Sequence, residues 1–232
     1  MDAPTPIDFS YSNKNNQLSE KEIIKSDLSE KYKEILKIHL EGRTFKEEKV
    51  KSWLNNILID AKDYFVKKYP NYDLFLFAHI ISQNLFYLSN SDGILSNASD
   101  AHNFVYYSNE FFYCILRFVF YKHYDLNYSI ENYEDEIIQK TNEILKKYLE
   151  DRKFIKENAE KNNLNINSEI ANFIIDKEKY LRVFIINKIY KKPLLGKFCF
   201  KYLSHGKNIY SKIIQTYEND DLECINYVFF FR

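Results

Sequence analysis

Leu28, Tyr32, Ile35, Leu36, His39 and Leu40 recur at helical spacing on one face, which predicts a helix beginning near Ser29. After Glu41-Gly42-Arg43 a second apolar stripe follows: Val50, Trp53, Leu54, Ile57, Ala61, Tyr64 and Phe65. Thr44 is its expected N-cap, with Glu47 at capping-box spacing, and Pro70-Asn71 ends it. From Tyr72 the period changes. Asp73–Ser82 is rich in β-formers, whereas Ser89–Ala101 carries turn chemistry in Asn90, Asp92, Gly93, Asn97 and Asp100. Asn103–Tyr107 and Phe111–Tyr121 read as strands joined by a tight turn at Ser108-Asn109-Glu110. The unit is two helices followed by about four antiparallel strands.

The pattern then returns. Ile137, Ile138, Thr141, Ile144, Leu145, Tyr148 and Leu149 form another helical stripe. At a shift of 109, His39-Leu40-Glu41-Gly42-Arg43-Thr44-Phe45 lies over Tyr148-Leu149-Glu150-Asp151-Arg152-Lys153-Phe154. At a shift of 110, Tyr107-Ser108-Asn109-Glu110 lies over Tyr217-Glu218-Asn219-Asp220, and Cys114-Ile115 over Cys224-Ile225. Helix faces, a turn and a cysteine align together, as duplication with one inserted residue would produce. The expected organisation is a flexible tail at 1–27, a first domain at 28–124, a connector at 125–133 and a second domain at 134–232.

Alternation in the last strand assigns its faces. The even positions pair Phe112/Leu222, Cys114/Cys224, Leu116/Asn226, Phe118/Val228 and Phe120/Phe230, so that face should pack under the helices. The odd positions pair Phe111/Asp221, Tyr113/Glu223 and Arg117/Tyr227, a mixed face expected to be partly exposed. The second copy is eroded: Asn162 and Asn163 stand where the first has Trp53 and Leu54, so its second helix is expected to begin late, near Ser168.

Composition narrows the function classes. Lys+Arg and Asp+Glu both number 33, and neither half is basic enough for a nucleic-acid footprint. The densest basic cluster, Lys188, Lys191, Lys192 and Lys197, reads as a solvated loop. Cys114, Cys199 and Cys224 are an odd number at wide spacing, which argues against a disulfide framework or a zinc site. The first residues lack an apolar signal core, and the longest apolar run, Phe111–Tyr121, is too short for a membrane helix. The expectation is an intracellular protein with no cofactor, no metal, no nucleic acid, no membrane and no small-molecule substrate.

Two segments connect these patterns to a family. Lys49-Val50-Lys51-Ser52-Trp53 opens the second helix, and Tyr107-Ser108-Asn109-Glu110-Phe111-Phe112-Tyr113-Cys114-Ile115 runs into the last strand. Together they resemble the Tctex-type dynein light chains, whose Lys-Val-x-x-Trp and aromatic–x–Asn–x₃–Tyr–Cys–Ile segments occur in this order. The second copy keeps Tyr217-Glu218-Asn219 and Cys224-Ile225 but has Glu223 in place of the family's Tyr. The resemblance covers residues 28–122 well and 134–231 weakly. Family members are single domains of two helices and a four-stranded antiparallel sheet that dimerise by exchanging a strand. The resemblance therefore implies an α+β fold of two tandem units forming an intrachain strand-exchanged pseudo-dimer in a monomeric chain, with segments 85–95 and 194–204 exchanged.

The same resemblance implies a non-catalytic subunit of a cytoplasmic or axonemal dynein motor complex, associated with microtubules. It would hold an extended segment of the intermediate chain, or cargo, by β-augmentation beside the exchanged strands. Phe104, Tyr106, Ile213 and Gln215, on the strands before the final hairpins, are the candidate contacts. A second class is a scaffold of another microtubule or cortical assembly. A third is a thiol hydrolase using a cysteine with His79, His102, His123 or His205. It lacks support: there is no His-x-x-x-His or paired-carboxylate pattern, only four glycines, and Cys114 and Cys224 fall on the inward face.

Overall fold

The computed structural model describes residues 19–83, 88–95, 101–122, 133–177, 182–192, 198–205 and 209–231. Residues 1–18 of the expected tail, the turn residues Asn97 and Asp100, and His123 and Lys197 lie outside them. The element order is α1 (Glu20–Leu40), α2 (Glu47–Lys68), β1 (Tyr72–Ser82), β2 (Leu88–Leu95), β3 (Ala101–Ser108) and β4 (Phe112–Lys122). It is then repeated as α3 (Glu134–Leu149), α4 (Lys156–Lys177), β5 (Arg182–Lys191), β6 (Phe198–His205), β7 (Ile209–Glu218) and β8 (Leu222–Phe231). The fold class is α+β, with four helices and two antiparallel sheets. None of the described helices is long and apolar enough to cross a membrane.

Helix α1 begins well before Ser29, inside the segment expected to be tail. Ser19 caps it: its backbone N–H donates to Glu22 Oε2 (2.7 Å) and its hydroxyl accepts from the Glu22 N–H. Ile24 and Leu28 are buried, and Asp27 accepts from Tyr64 (2.8 Å) and Tyr69 (2.7 Å), tying α1 to α2. Helix α2 starts at Glu47 with Lys46 as N-cap and no side-chain cap, so Thr44 does not close a capping box. Phe45 packs against the core there, and the chain stays extended at Lys46 before the helix begins.

Helix α4 does not start late. It runs the same 22 residues as α2, because Ala159, Ile166, Ile170 and Ile174 keep a buried stripe. Asn162 donates to the Tyr148 carbonyl (3.1 Å), while Asn163 and Asn167 are buried. Polar side chains replaced the apolar turn without unwinding it.

In each half one asparagine ties the last hairpin to the helix–helix turn. Asn109 Oδ1 accepts from the Phe111 and Phe112 N–H groups, and its amide donates to the Arg43 carbonyl (2.9 Å). Asn219 repeats this, accepting from Asp221 and Leu222 and donating to the Leu149 and Arg152 carbonyls. The turn it grips has a left-handed residue in both halves, Gly42 (φ 70) and Asp151 (φ 54).

The first sheet has the order β3-β4-β1-β6 and the second β2-β5-β8-β7. Strand β6 of the second half thus pairs with β1 (Leu76↔Leu203, Ile80↔Cys199), and β2 of the first half pairs with β5 (Ser91↔Asn187, Ile94↔Phe184). Leu88–Leu95, with its turn-type residues, is a strand because β5 offers it a complete backbone ladder.

Three cores stack in order. Helices α1 and α2 close on the inner face of the first sheet with Leu74, Leu76, Phe112, Cys114, Phe118 and Phe120. Helices α3 and α4 do the same with Val183, Ile185, Leu222, Cys224, Val228 and Phe230. The even face of the last strands therefore packs under helices as the alternation predicts. The odd face is partly exposed at Phe111, Tyr113, Arg117, Asp221 and Glu223, as expected, but Tyr227 is buried, and so are Val119, Tyr121 and Phe229 farther along the strands, with Phe75, Phe77, Phe184 and Ile186 between the two sheets. That stretch is covered because the other sheet lies on it, which alternation within one strand cannot reveal.

Lys188 also departs from its reading as part of a solvated loop. It is fully buried on β5, its ammonium 5.4 Å from the Phe77 ring and 5.2 Å from the Phe200 ring.

Candidate partner-binding edges

The four edge strands are β3 and β6 in the first sheet and β2 and β7 in the second. Phe200 and Tyr202 of β6 meet Tyr227 (4.9 Å) and Phe229 (5.1 Å) of β8 edge to face. Lys212 of β7 donates to the Tyr202 hydroxyl (2.9 Å). So β6 and β7 share one flank of the molecule, and the sheet orders put β3 and β2 on the other. Among the described residues each flank presents two open strand edges, one from each sheet, whose outward N–H and C=O groups form a template for a further strand.

One face of β3 turns to helix α1 and one face of β7 to α3; the opposite faces carry the exposed side chains. Phe104 is 51% and Tyr106 65% exposed, and the Arg117 guanidinium sits 5.4 Å from the Phe104 ring. Both were sequence candidates, and both are available to a partner. The two candidates on β7 face the other way. Ile213 is 3% exposed within the α3/α4 core, and Gln215 is half-buried on the same face. Ile213 cannot be an open contact without unpacking that core.

Their neighbours occupy the equivalent outward positions. Phe104 pairs with Arg117 and Tyr106 with Ile115; in the second sheet Ile214 pairs with Tyr227 and Thr216 with Ile225. Ile214 is 47% exposed. The signal was present in the chain: the shift of 110 that aligns Tyr107 with Tyr217 carries Phe104 to Ile214 and Tyr106 to Thr216. A one-residue slip along a strand exchanges its faces.

The thiols are poorly placed for nucleophilic work. Cys114 and Cys224 are fully buried, and burial pushes both thiols far above the ordinary range, disfavouring the thiolate. Cys224 donates to Asn187 Oδ1 (2.9 Å) inside the core.

His79 is a second buried titratable group, beside Lys188, facing the seam between the sheets. Burial first, then the charges of Lys188 and Arg117, hold its imidazole well below the usual histidine range. The folded protein keeps it neutral, while the unfolded chain takes up a proton near pH 6.5. With the folded value depressed, stability falls as pH drops below about 6.5, by up to about 1.4 kcal/mol per pH unit. His102, also lowered, by burial and then by Lys25, acts in the same sense. The urea midpoint should decline between pH 7 and 5, and His79→Leu should flatten most of that slope. An unchanged slope in His79→Leu would remove His79 from the account.

The sequence matches no protein-family model and no curated protein in comparison.

Proposed function

We propose that the chain is a tandem Tctex-type light chain, a non-catalytic subunit of a cytoplasmic or axonemal dynein motor complex. Its two units form an intrachain strand-exchanged pseudo-dimer, and each flank holds an extended segment of the intermediate chain, or of cargo, by β-augmentation. The observation that carries this reading is the pair of flanks. On each, the open edges of both sheets lie together, and the outward side chains of one of them, Phe104 and Tyr106 or Ile214 and Thr216, are free of the core. Main-chain bonds would give affinity and those side chains selectivity.

The covalent link raises the effective concentration of each half for the other to the order of millimolar. It also lets the flanks differ: one offers two aromatics, the other an isoleucine and a threonine. A homodimer cannot do this.

Titration of an extended intermediate-chain peptide should show saturable micromolar binding. Phe104→Lys and Ile214→Lys, both on exposed positions, should each weaken one class of site by about tenfold or more, a loss on the order of 1.4 kcal/mol. Ile213→Val, inside the core, should change stability instead. No binding at high micromolar peptide sinks the dynein reading. Affinity purification that recovers other cytoskeletal proteins but no dynein heavy or intermediate chain would favour the scaffold reading.

A further inference from the structure

A cavity of about 210 Å³ lies under the α3–α4 turn, away from both flanks. Its lining comprises Leu149, Phe154, Ala159, Ile189 and Leu222, with Arg152, Lys153, Lys161, Asn158 and Asn162. The first half explains why it is there. Helices α2 and α4 correspond at a shift of 109, so Asn162 occupies the place of Trp53. The Trp53 indole packs against Phe112 (ring centroids 6.1 Å) and beneath the Arg43 guanidinium (5.5 Å). The counterparts of those two neighbours are Leu222 and Arg152, and both line the cavity. Trp-to-Asn and Phe-to-Leu each remove volume, and Asn162 turns away to donate to the Tyr148 carbonyl (3.1 Å). The second half holds an indole-shaped space that the first half fills with its own side chain.

We infer that this cavity is a binding site for an aromatic acid, its ring in the place of the missing indole and its carboxylate on the basic rim. The volume suits a single ring system: a cavity of roughly 150 Å³ already admits benzene. It is too small for the roughly 300–1,000 Å³ of drug-sized ligand sites. Arg152, as the counterpart of Arg43, stacks on the ring, while Lys153 and Lys161 meet the carboxylate. None of these three cations forms an ion pair among the described residues. Asp221, beside Leu222, is already engaged by the Phe154 N–H (2.5 Å). A purely apolar cavity would bind neutral rings; a cationic rim around an apolar floor selects an anion.

Calorimetric or NMR titration of the full chain with indole-3-acetate tests this, with neutral indole and the peptide Glu-Trp-Glu in parallel. Saturable binding of indole-3-acetate is expected, at least about tenfold tighter than indole, the discrimination of one charge-assisted contact. Asn162→Trp, which restores the first-half arrangement, should abolish it and raise the melting temperature. Lys153→Gln and Lys161→Gln should each weaken it severalfold while indole binding is unmoved. Preference for free indole-3-acetate assigns a small-molecule ligand; preference for the peptide assigns an aromatic residue beside acidic ones in a partner. No saturable binding of either acid overturns the proposal, as does binding that survives undiminished in a folded Asn162→Trp protein. Should that variant unfold, Ala159→Phe fills the same space and must give the same loss.

Discussion

Replacing Phe229 with alanine is expected to cost about 3–5 kcal/mol, the usual loss for a large buried aromatic. Phe229 is 1% exposed and sits at the middle of the seam between the sheets. Its ring lies 5.1 Å from Phe75 and 5.1 Å from Tyr202, with Phe184 at 6.2 Å and Tyr227 at 6.4 Å. These partners come from both halves, so the cavity left behind would loosen contacts of the first sheet as well as the second. The chain carries a single tryptophan, Trp53, in the core of the first half. Tryptophan fluorescence therefore reports unfolding of the half that does not contain the substitution. The fluorescence and far-UV dichroism midpoints in urea should fall together. A Trp53 transition that stays where it was while the dichroism midpoint drops would mean that the halves unfold independently, and would sink the idea of one cooperative unit.

Residues 1–124 produced alone should never be recovered as a folded monomer. In the whole chain β1 is flanked by β4 and β6, and β6 comes from the second half. Without it β1 becomes an open central edge. Strand β2, whose only partner among the described residues is β5, has nothing to pair with. Phe75, Phe77, Val119 and Tyr121, buried at the seam, would face water as one apolar patch. Two copies can meet all three needs by exchanging β2 and stacking their sheets, so the expected species is a homodimer with an intact Trp53 environment. The full chain should have the mass of one chain. Sedimentation measures both. A folded monomer of residues 1–124 would show that the cross-pairing of β2 and β6 is dispensable.

Where sequence reasoning succeeded, the information was local. The stripe from Val50 to Phe65, the strand at Asp73–Ser82 and the hairpin around Asn109 rest on period, propensity and turn chemistry within a few residues. The even face of the last strands followed from alternation, and the burial of Cys114 and Cys224 with it. The α1 start was legible and overlooked, since Ser19 and Glu22 form a capping box in plain view. The face of Ile213 and Gln215 was legible too, through the shift of 110, but an Ile-Ile pair hides the alternation that would have shown it.

The cross-pairing was of another kind. Nothing in the composition of Leu88–Leu95 asks for a strand, and Asn90, Asp92 and Gly93 argue for a turn. The exchanged segments could be named at all only through resemblance, because backbone hydrogen bonds carry no sequence label. Which ladder a strand joins depends on which edge is vacant in space. Lys188 makes the same point in reverse: a lysine near two others reads as solvated until two rings from the opposing sheet close over its ammonium.

The chain by itself determined the repeated order of helices and strands and the inward face of each, since these follow from the geometry of a few successive residues. Only the tertiary structure decided that the outward faces of the sheets meet in a third, aromatic core. It alone decided that β2 and β6 cross between halves, and that the erosion of Trp53 to Asn162 leaves a cavity rather than a broken helix. Each depends on what lies opposite a side chain, and residues about a hundred positions apart come to lie opposite one another only when the chain has folded.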